Sequence, residues 1–416
     1  MKNIALVDRT QAFDVNTVRR QFPILARMVR GKPLVYLDNG ASAQRPAAVI
    51  EAVDDYERHH HANIHRGVHT LSQEATALYE SARDGLVEFI NARSRHEVIF
   101  VRGTTEAVNL VAQSYARPQL KPGDEILITH LEHHANIVPW QMVCEQTGAK
   151  LIVAPIDSRG EVHVDAVVAL MSPRTRLFAC AHVSNALGTV LPIRRLIAAA
   201  KARGIVTLID GAQAVPHMHV DVQDLGCDFY AFSGHKMFGP TGVGVLYGRE
   251  QLLERMPPWQ TGGEMILAVT FAKTTYNGLP NKFEAGTPNI SGAIGLGAAV
   301  VFLQGMDRDA AERHENALLE HATAALSKIP QLRIVGTAAD KASLVSFTVA
   351  GVHPHDLGTI LDEDGIAIRT GHHCAMPVME FFKLPATARA SFAFYNTFEE
   401  IDMLAAGVER ARKLFA

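Results

Sequence analysis

The sequence predicts an α/β fold: a mostly parallel mixed sheet with helices on both faces, joined to a smaller α+β domain. Three observations lead there. Between about residues 95 and 250, short runs rich in β-branched and aromatic residues alternate with helix-like segments, the pattern of βα units around a parallel sheet. Each run ends in a polar or glycine-rich turn. The length of 416 residues and a hydrophobic share of 48% exceed what one small core holds and are too apolar for disorder.

Taken in chain order, Asp14 is placed to cap a short helix with Val15, Val18 and Phe22 on one face, stopped by Pro23. The strand-like runs follow at 98–101, 125–129, 151–154, 177–181, 206–209, 229–232 and 243–247. Of the intervening helices, the one over 193–203 has an apolar stripe and ends at Gly204, a residue suited to a left-handed cap. Beyond residue 300, strands at 344–349 and 366–369 lie between helices, the last carrying the stripe Ile401, Leu404, Val408 and Ala411. The expected division is a large α/β domain over 30–300 and a small α+β domain made of 1–29 with 301–416. No internal repeat interrupts this pattern.

Composition narrows the function classes. With 40 basic and 43 acidic residues the formal charge is −3, which provides neither a basic stripe for phosphate backbones nor a polybasic segment for anionic lipid. Nucleic acid and membrane partners are not expected. The segment 1–11 mixes Lys2, Asp8 and Arg9 with short apolar stretches and lacks the apolar core of a secretory signal, and no role is read for the first dozen residues. A cytoplasmic setting is expected, where the 4 cysteines, with no CxxC pair among them, remain thiols.

Ligands of parallel α/β sheets bind outside the carboxyl ends of the strands, so the residues at those ends are the candidates. After 98–101 comes Gly103-Thr104-Thr105, a glycine turn and two hydroxyls at a helix start, where free N–H groups favour a phosphate. The strand at 206–209 delivers Asp210, with Gln213 three residues on. A buried carboxylate there keeps a pyridine-type nitrogen protonated, which makes such a ring an electron sink. The next strand leads into Ser233-Gly234-His235-Lys236 and a glycine-rich reversal. A lysine at a buried strand end is suited to Schiff-base chemistry, which needs a desolvated amine of lowered pKa.

Among the cysteines, Cys144 falls in a helix, Cys180 in a strand and Cys227 just before one, all positions of small buried hydrophobes. Cys374 stands in RTGHHCAMP, a loop bracketed by Gly371 and Pro377, whose arginine and histidines are expected to favour a thiolate. The histidine clusters 59–61 and 130, 133, 134 lack the companion ligands of a tetrahedral metal site, and no metal is expected.

These motifs resemble, over nearly the whole chain, fold-type I pyridoxal-phosphate enzymes of the class V aminotransferase group, and among them SufS-type cysteine desulfurases. The resemblance is carried by YLDNGAS at 36–42, NIHRGVH at 63–69, LEHHANIVPW at 131–140, DGAQ at 210–213, SGHK at 233–236, FEAGTPN at 283–289 and RTGHHCA at 369–375. It implies pyridoxal 5′-phosphate held on Lys236, with His133 stacked on the ring, Asp210 on the ring nitrogen and Gln213 on the phenolic oxygen. It further implies phosphate contacts from Thr104, Thr105, Ser233 and His235, with Thr287 reaching across from a second subunit of a homodimer. Asn185 and Arg389 would bind the substrate carboxylate, with Arg369, His65 and Arg66 nearby. The implied activity converts L-cysteine to L-alanine, leaving a persulfide on Cys374 for a SufE- or SufU-like acceptor and an iron–sulfur scaffold. The alternative within the fold is a selenocysteine lyase.

Overall fold

A computed structural model describes residues 13–415; what was expected of the segment 1–11 lies outside them. Its centre is a seven-stranded sheet of β1 (Val98–Val101), β2 (Glu125–Thr129), β3 (Lys150–Ala154), β4 (Thr175–Ala181), β5 (Val206–Asp210), β6 (Phe229–Ser233) and β7 (Gly244–Gly248). The spatial order is β1-β7-β6-β5-β4-β2-β3, and only β7 runs antiparallel to its neighbours.

Why these runs form a doubly covered sheet is visible in where alternate side chains go. Val98, Phe100, Leu127, Phe178, Ile209 and Phe232 enter one core; Ile99, Val101, Ile128, Ala179, Leu208 and Ala231 enter the other. The strand period of two sends successive residues to opposite faces, and each face is packed under helices. On one face Thr70–Phe89 crosses Ile290–Gln304 so closely that a Cβ on Gly297 would stand 2.7 Å from that of Ala82.

The second sheet consists of β8 (Leu332–Val335), β9 (Leu344–Val349), β10 (Arg369–Gly371) and β11 (Thr387–Ser391), antiparallel in the order β8-β9-β11-β10. Its core joins Val345, Phe347, Ala388 and Phe392 to Leu318, Leu361, Ile401 and Leu404 of three helices. Val35 and Leu37 belong to this core as well, although a division at residue 30 assigns them to the other domain. The single strand expected over 366–369 is two: Ile366–Ala367 pairs in parallel with Val35–Tyr36, whereas Arg369–Gly371 pairs with β11. The chain changes partners at Ile368, so hydrophobic pattern alone reads the two pieces as one strand. The hairpin Ile266–Val269/Thr274–Tyr276 is also absent from the sequence reading, because its side chains are largely exposed and show no buried face.

Helix ends follow local chemistry. Asp14 accepts the Thr17 N–H at 3.0 Å, and Gly204 adopts φ +68° beyond Ile193–Lys201. Phe398–Leu414 opens on a capping box in which Thr397 and Glu400 satisfy each other's backbone N–H groups. Thr397→Ala is expected to lower stability by about 1 kcal/mol in urea unfolding, with an unchanged denaturant slope. Among the described residues no single helix is long and apolar enough to cross a membrane.

Candidate active site

The carboxyl ends of β1, β2, β5 and β6 meet β10 and β11 around a cavity of about 410 Å³, within the size range of small-molecule sites. Its lining brings together Thr104, Thr105, His133, Asn185, Asp210, Gln213, Ser233, His235, Lys236, Arg369, Cys374 and Arg389, residues spread over more than half the chain. A larger groove of about 1030 Å³, between the helix Arg308–Ser327 and the second sheet, is lined chiefly by Glu312, Glu315, Glu320 and neutral residues and holds none of these groups.

Lys236 ends the short turn Gly234–Lys236 that follows β6. Its amine is held below the ordinary lysine pKa, first by desolvation, with Asp210 pulling the other way. Asp210 ends β5, is 7% exposed, and accepts the Ala212 N–H at 2.9 Å. Burial raises its pKa while Lys236 opposes the rise. The Gln213 Nε2 donates to the carbonyl of Gly40, which lines the cavity with Ala41, at 2.7 Å.

One end of the cavity is formed by a helix start and two hydroxyls. Gly103, at φ +152°, leads into the helix Thr104–Val111; the Thr104 N–H donates to Ser233 Oγ at 2.9 Å, with the two hydroxyls also 2.9 Å apart. The backbone packs closely behind this end: a Cβ on Gly244 would lie 2.6 Å from the Gly103 Cα. His235 lines the same end, and burial pushes its pKa down to about 4.

His133 is likewise pushed down to about 4 by desolvation and then by Lys236. Its Nδ1 accepts the Ala135 N–H at 3.0 Å, so the neutral ring carries its proton on Nε2. Arg389, 2% exposed, donates from Nη1 to the Asn185 carbonyl at 2.7 Å, and its buried Nε has no partner among the described residues. Asp38 pairs with both arginines, at 3.1 Å to Arg369 and 3.4 Å to Arg389. The sequence reading gives Asp38 no role. The available signal was a lone carboxylate just after a short strand, and only the pairing of that strand with Ile366–Ala367 brings it to the arginines.

Cys374 is the exposed thiol among four; the other three are buried. The expectation that its histidine neighbours supply positive charge needs correction for His373. That ring is 8% exposed, hydrogen bonds Thr387 at 2.8 Å, and is pushed down to about 3 by burial and then by Arg389, so it is neutral. Positive charge at this end comes from Arg369 and Arg389.

Two expected site residues, His65 and Arg66, do not line this cavity, and Thr287, expected at a second subunit's site, stands apart from it within one chain. His65 pairs with Glu80 at 3.1 Å and Arg66 with Glu264 at 2.8 Å, outside the lining of the Lys236 cavity. Thr287 lines a separate cavity of about 400 Å³ with Arg102, Glu284 and Asn289. The histidines 59–61 end an exposed helix and pair with Asp55, Glu74 and Glu57. Among the described residues the one group at metal-ligand spacing is Asp157, Glu161 and His163, in a surface turn whose N–H groups and His163 already occupy the Asp157 carboxylate.

Because His133, His182, His235 and His373 are held neutral with pKa values of about 4, 4, 4 and 3, the cofactor-free fold binds fewer protons than the unfolded chain below the ordinary histidine pKa. The contribution of these four histidines to stability is therefore full above pH ~6.5 and is lost as pH falls toward ~4. Melting of the cofactor-free protein at pH 7, 6 and 5 is expected to show a falling midpoint; a flat profile would contradict the neutral assignments.

A desolvated lysine amine, a buried carboxylate, a neutral imidazole and a glycine-floored helix start in one cavity match the needs of an aldehyde cofactor with a pyridine ring and a phosphate. Fold and cavity together define a fold-type I pyridoxal-phosphate enzyme. The sequence comparisons agree: residues 35–404 match the Aminotransferase class-V family. The chain belongs to that family, on its cysteine desulfurase branch, and its cofactor is pyridoxal 5′-phosphate.

It is 52% identical over 96% of its length to a cysteine desulfurase of Synechococcus elongatus, a longer protein of which it spans 64%. To the cysteine desulfurase of Serratia proteamaculans it is 51% identical, over 97% of this chain and 99% of that one. The crystal structure of cysteine desulfurase CsdA from Escherichia coli, in an S-sulfonic acid form, superposes with a TM-score of 0.91 at 44% identity, covering 98% of this chain and all (100%) of that one. The C-DES protein, with glycine covalently linked to its PLP cofactor, is 25% identical with a TM-score of 0.81 over 94% of this chain and 98% of that one.

Proposed function

We propose that this chain desulfurates L-cysteine to L-alanine and collects the sulfur as a persulfide on Cys374. The observation that carries this reading is that Lys236 and Cys374 line one cavity together with Asp210 and Arg389. Bound pyridoxal phosphate supplies an electron sink conjugated to the substrate's α-carbon.

Everything else falls to the chain's own groups. Thr104, Thr105, Ser233 and His235 would hold the phosphate end, and the neutral His133 ring would stack on the pyridine. The Asp210 carboxylate would hold a proton on the ring nitrogen, and Gln213 would hydrogen bond the phenolic oxygen. Arg389 and Asn185 take the substrate carboxylate; the orphaned Arg389 Nε and the long 3.4 Å contact to Asp38 leave donor capacity for it. The Lys236 amine, of lowered pKa, removes the α-proton. The Cys374 thiolate then attacks the substrate sulfur: a sulfur–sulfur bond forms, the Cβ–S bond breaks, its electron pair stays with the three-carbon fragment, and protonation there yields alanine.

The exposed, short loop of Cys374 suits delivery to a protein that approaches the cavity mouth. We assign that role to a SufE- or SufU-like acceptor in the cytoplasm, with an iron–sulfur scaffold downstream. Thr287 is assigned to the cofactor phosphate of the second subunit in a homodimer, and the small domain, 1–29 with 301–416, to presenting the cysteine loop. The test is mass spectrometry after incubation with cysteine: one added sulfur mapped to the peptide bearing Cys374. Sulfur released as free sulfide with Cys374 unmodified would refute the reading. An acceptor with a reactive thiol is expected to raise turnover at least roughly tenfold over a small dithiol, because docking makes the transfer effectively intramolecular.

A further inference from the structure

The loop that carries Cys374 is gripped from across the cavity by the turn that carries His133. His134 donates its backbone N–H to the Cys374 carbonyl at 2.8 Å, and its ring Nε2 accepts the Met376 N–H at 3.1 Å. His130 donates from Nε2 to the Pro377 carbonyl at 3.0 Å. These bonds fall on Cys374 itself and on the two residues that turn the chain into the helix Met376–Phe381.

The loop needs holding. His373 and Cys374 both sit in the left-handed region, at φ +54° and +53°, a conformation that non-glycine residues keep only when their surroundings dictate it. The exposed Cys374 side chain provides no packing to do so. On the other flank, Asn185 Nδ2 donates to the His373 carbonyl at 2.5 Å, so the loop is fixed from two sides.

The gripping turn is itself rigid. Glu132, fully buried, accepts from Thr129 Oγ1 at 2.5 Å and Asn136 Nδ2 at 2.6 Å, and Asn136 in turn accepts the Trp140 Nε1–H at 2.9 Å. Accepting the Met376 N–H requires a neutral His134 with its proton on Nδ1. Burial, with His372 second, holds its pKa below the ordinary histidine value and keeps that form in place. One short turn thus presents His133 to the cofactor cavity and, one residue later, anchors the nucleophile's loop.

We infer that His134, seconded by His130, is a positioning residue that sets how far the Cys374 sulfur reaches toward substrate. The inference rests on the role proposed for Cys374. Three variants of the full holoenzyme test it: H134L, which removes the acceptor; H134Q, whose Oε1 can take the Met376 N–H; and H130A. Deuterium exchange on the resting enzyme reads the grip directly, single-turnover persulfide formation reads its consequence, and visible absorbance reads the cofactor.

In H134L the Met376 amide is expected to exchange about tenfold faster for loss of one hydrogen bond. Persulfide formation should slow roughly ten- to a hundredfold for a misplaced nucleophile, with absorbance and KM for cysteine unchanged. H134Q should recover most of both losses, and H130A should lose less than H134L. A parental persulfide rate in H134L, whatever its exchange, would overturn the inference, as would equal losses in H134L and H134Q with altered absorbance, the mark of general damage. If H134L does not fold, H130A with slowed persulfide formation and intact absorbance supports the inference, and H130A at the parental rate overturns it. A parent that forms no persulfide on Cys374 refutes the function reading instead.

Discussion

Cys374→Ala is expected to form no alanine from cysteine, a loss of about a thousandfold or more, while keeping the visible absorbance of the bound cofactor. The physical reason is that no other thiol can take over. Cys144 is pushed up to about 11 and Cys227 to about 12 by burial, and Cys180 well above the ordinary thiol value, so none supplies a thiolate at neutral pH. The three also sit within the two cores rather than at the cavity. Alanine formation by steady-state assay and absorbance on the same sample decide the matter. Undiminished turnover by the variant would remove Cys374 from the mechanism, and undiminished turnover with selenocysteine alone would favour the lyase alternative.

Lys236→Ala is the second large effect. It should abolish turnover by about ten-thousandfold or more, since the one amine serves both as cofactor tether and as base for the α-proton. It should also shift the visible absorbance to that of free, non-covalently held cofactor. Folding is expected to survive. Desolvation of the amine costs the native state, as its lowered pKa records, but its removal leaves Asp210 buried without the opposing charge. The two effects oppose each other, so the melting temperature of the cofactor-free protein should change little. A variant that retains the parental absorbance would show the tether to be elsewhere.

Much of this was legible in residue order. The strand runs of the central sheet were readable because each is mostly apolar and closed by a turn, the local mark of strands in a sheet packed under helices. Asp210, Ser233 and Lys236 were readable because strand ends are where such folds place ligands. The exposed state of Cys374 followed from glycine and proline around it, and the buried state of the other cysteines from the helices and strands they interrupt.

Other features left no local mark. Asp38 acquires its part by standing between Arg369 and Arg389, more than three hundred residues away in sequence. The neutrality of His373 comes from burial beside Arg389, whereas its sequence neighbours suggested a cation. The grip of His130 and His134 on residues 374–377 joins two loops from different sheets. His65 and Arg66, adjacent to one another in a recognisable motif, turn toward Glu80 and Glu264 instead of the Lys236 cavity.

By itself, then, the amino-acid order determined the class of fold, the order of its strands along the chain, and which side chains have the chemical capacity to tether, protonate and accept sulfur. Period, turn residues and side-chain type are local properties that survive in any conformation. Only the tertiary structure decided which of those side chains share a cavity, which histidines carry charge, and what holds the strained loop of the nucleophile. Distance, desolvation and hydrogen-bond direction arise only when segments far apart in the chain are packed together.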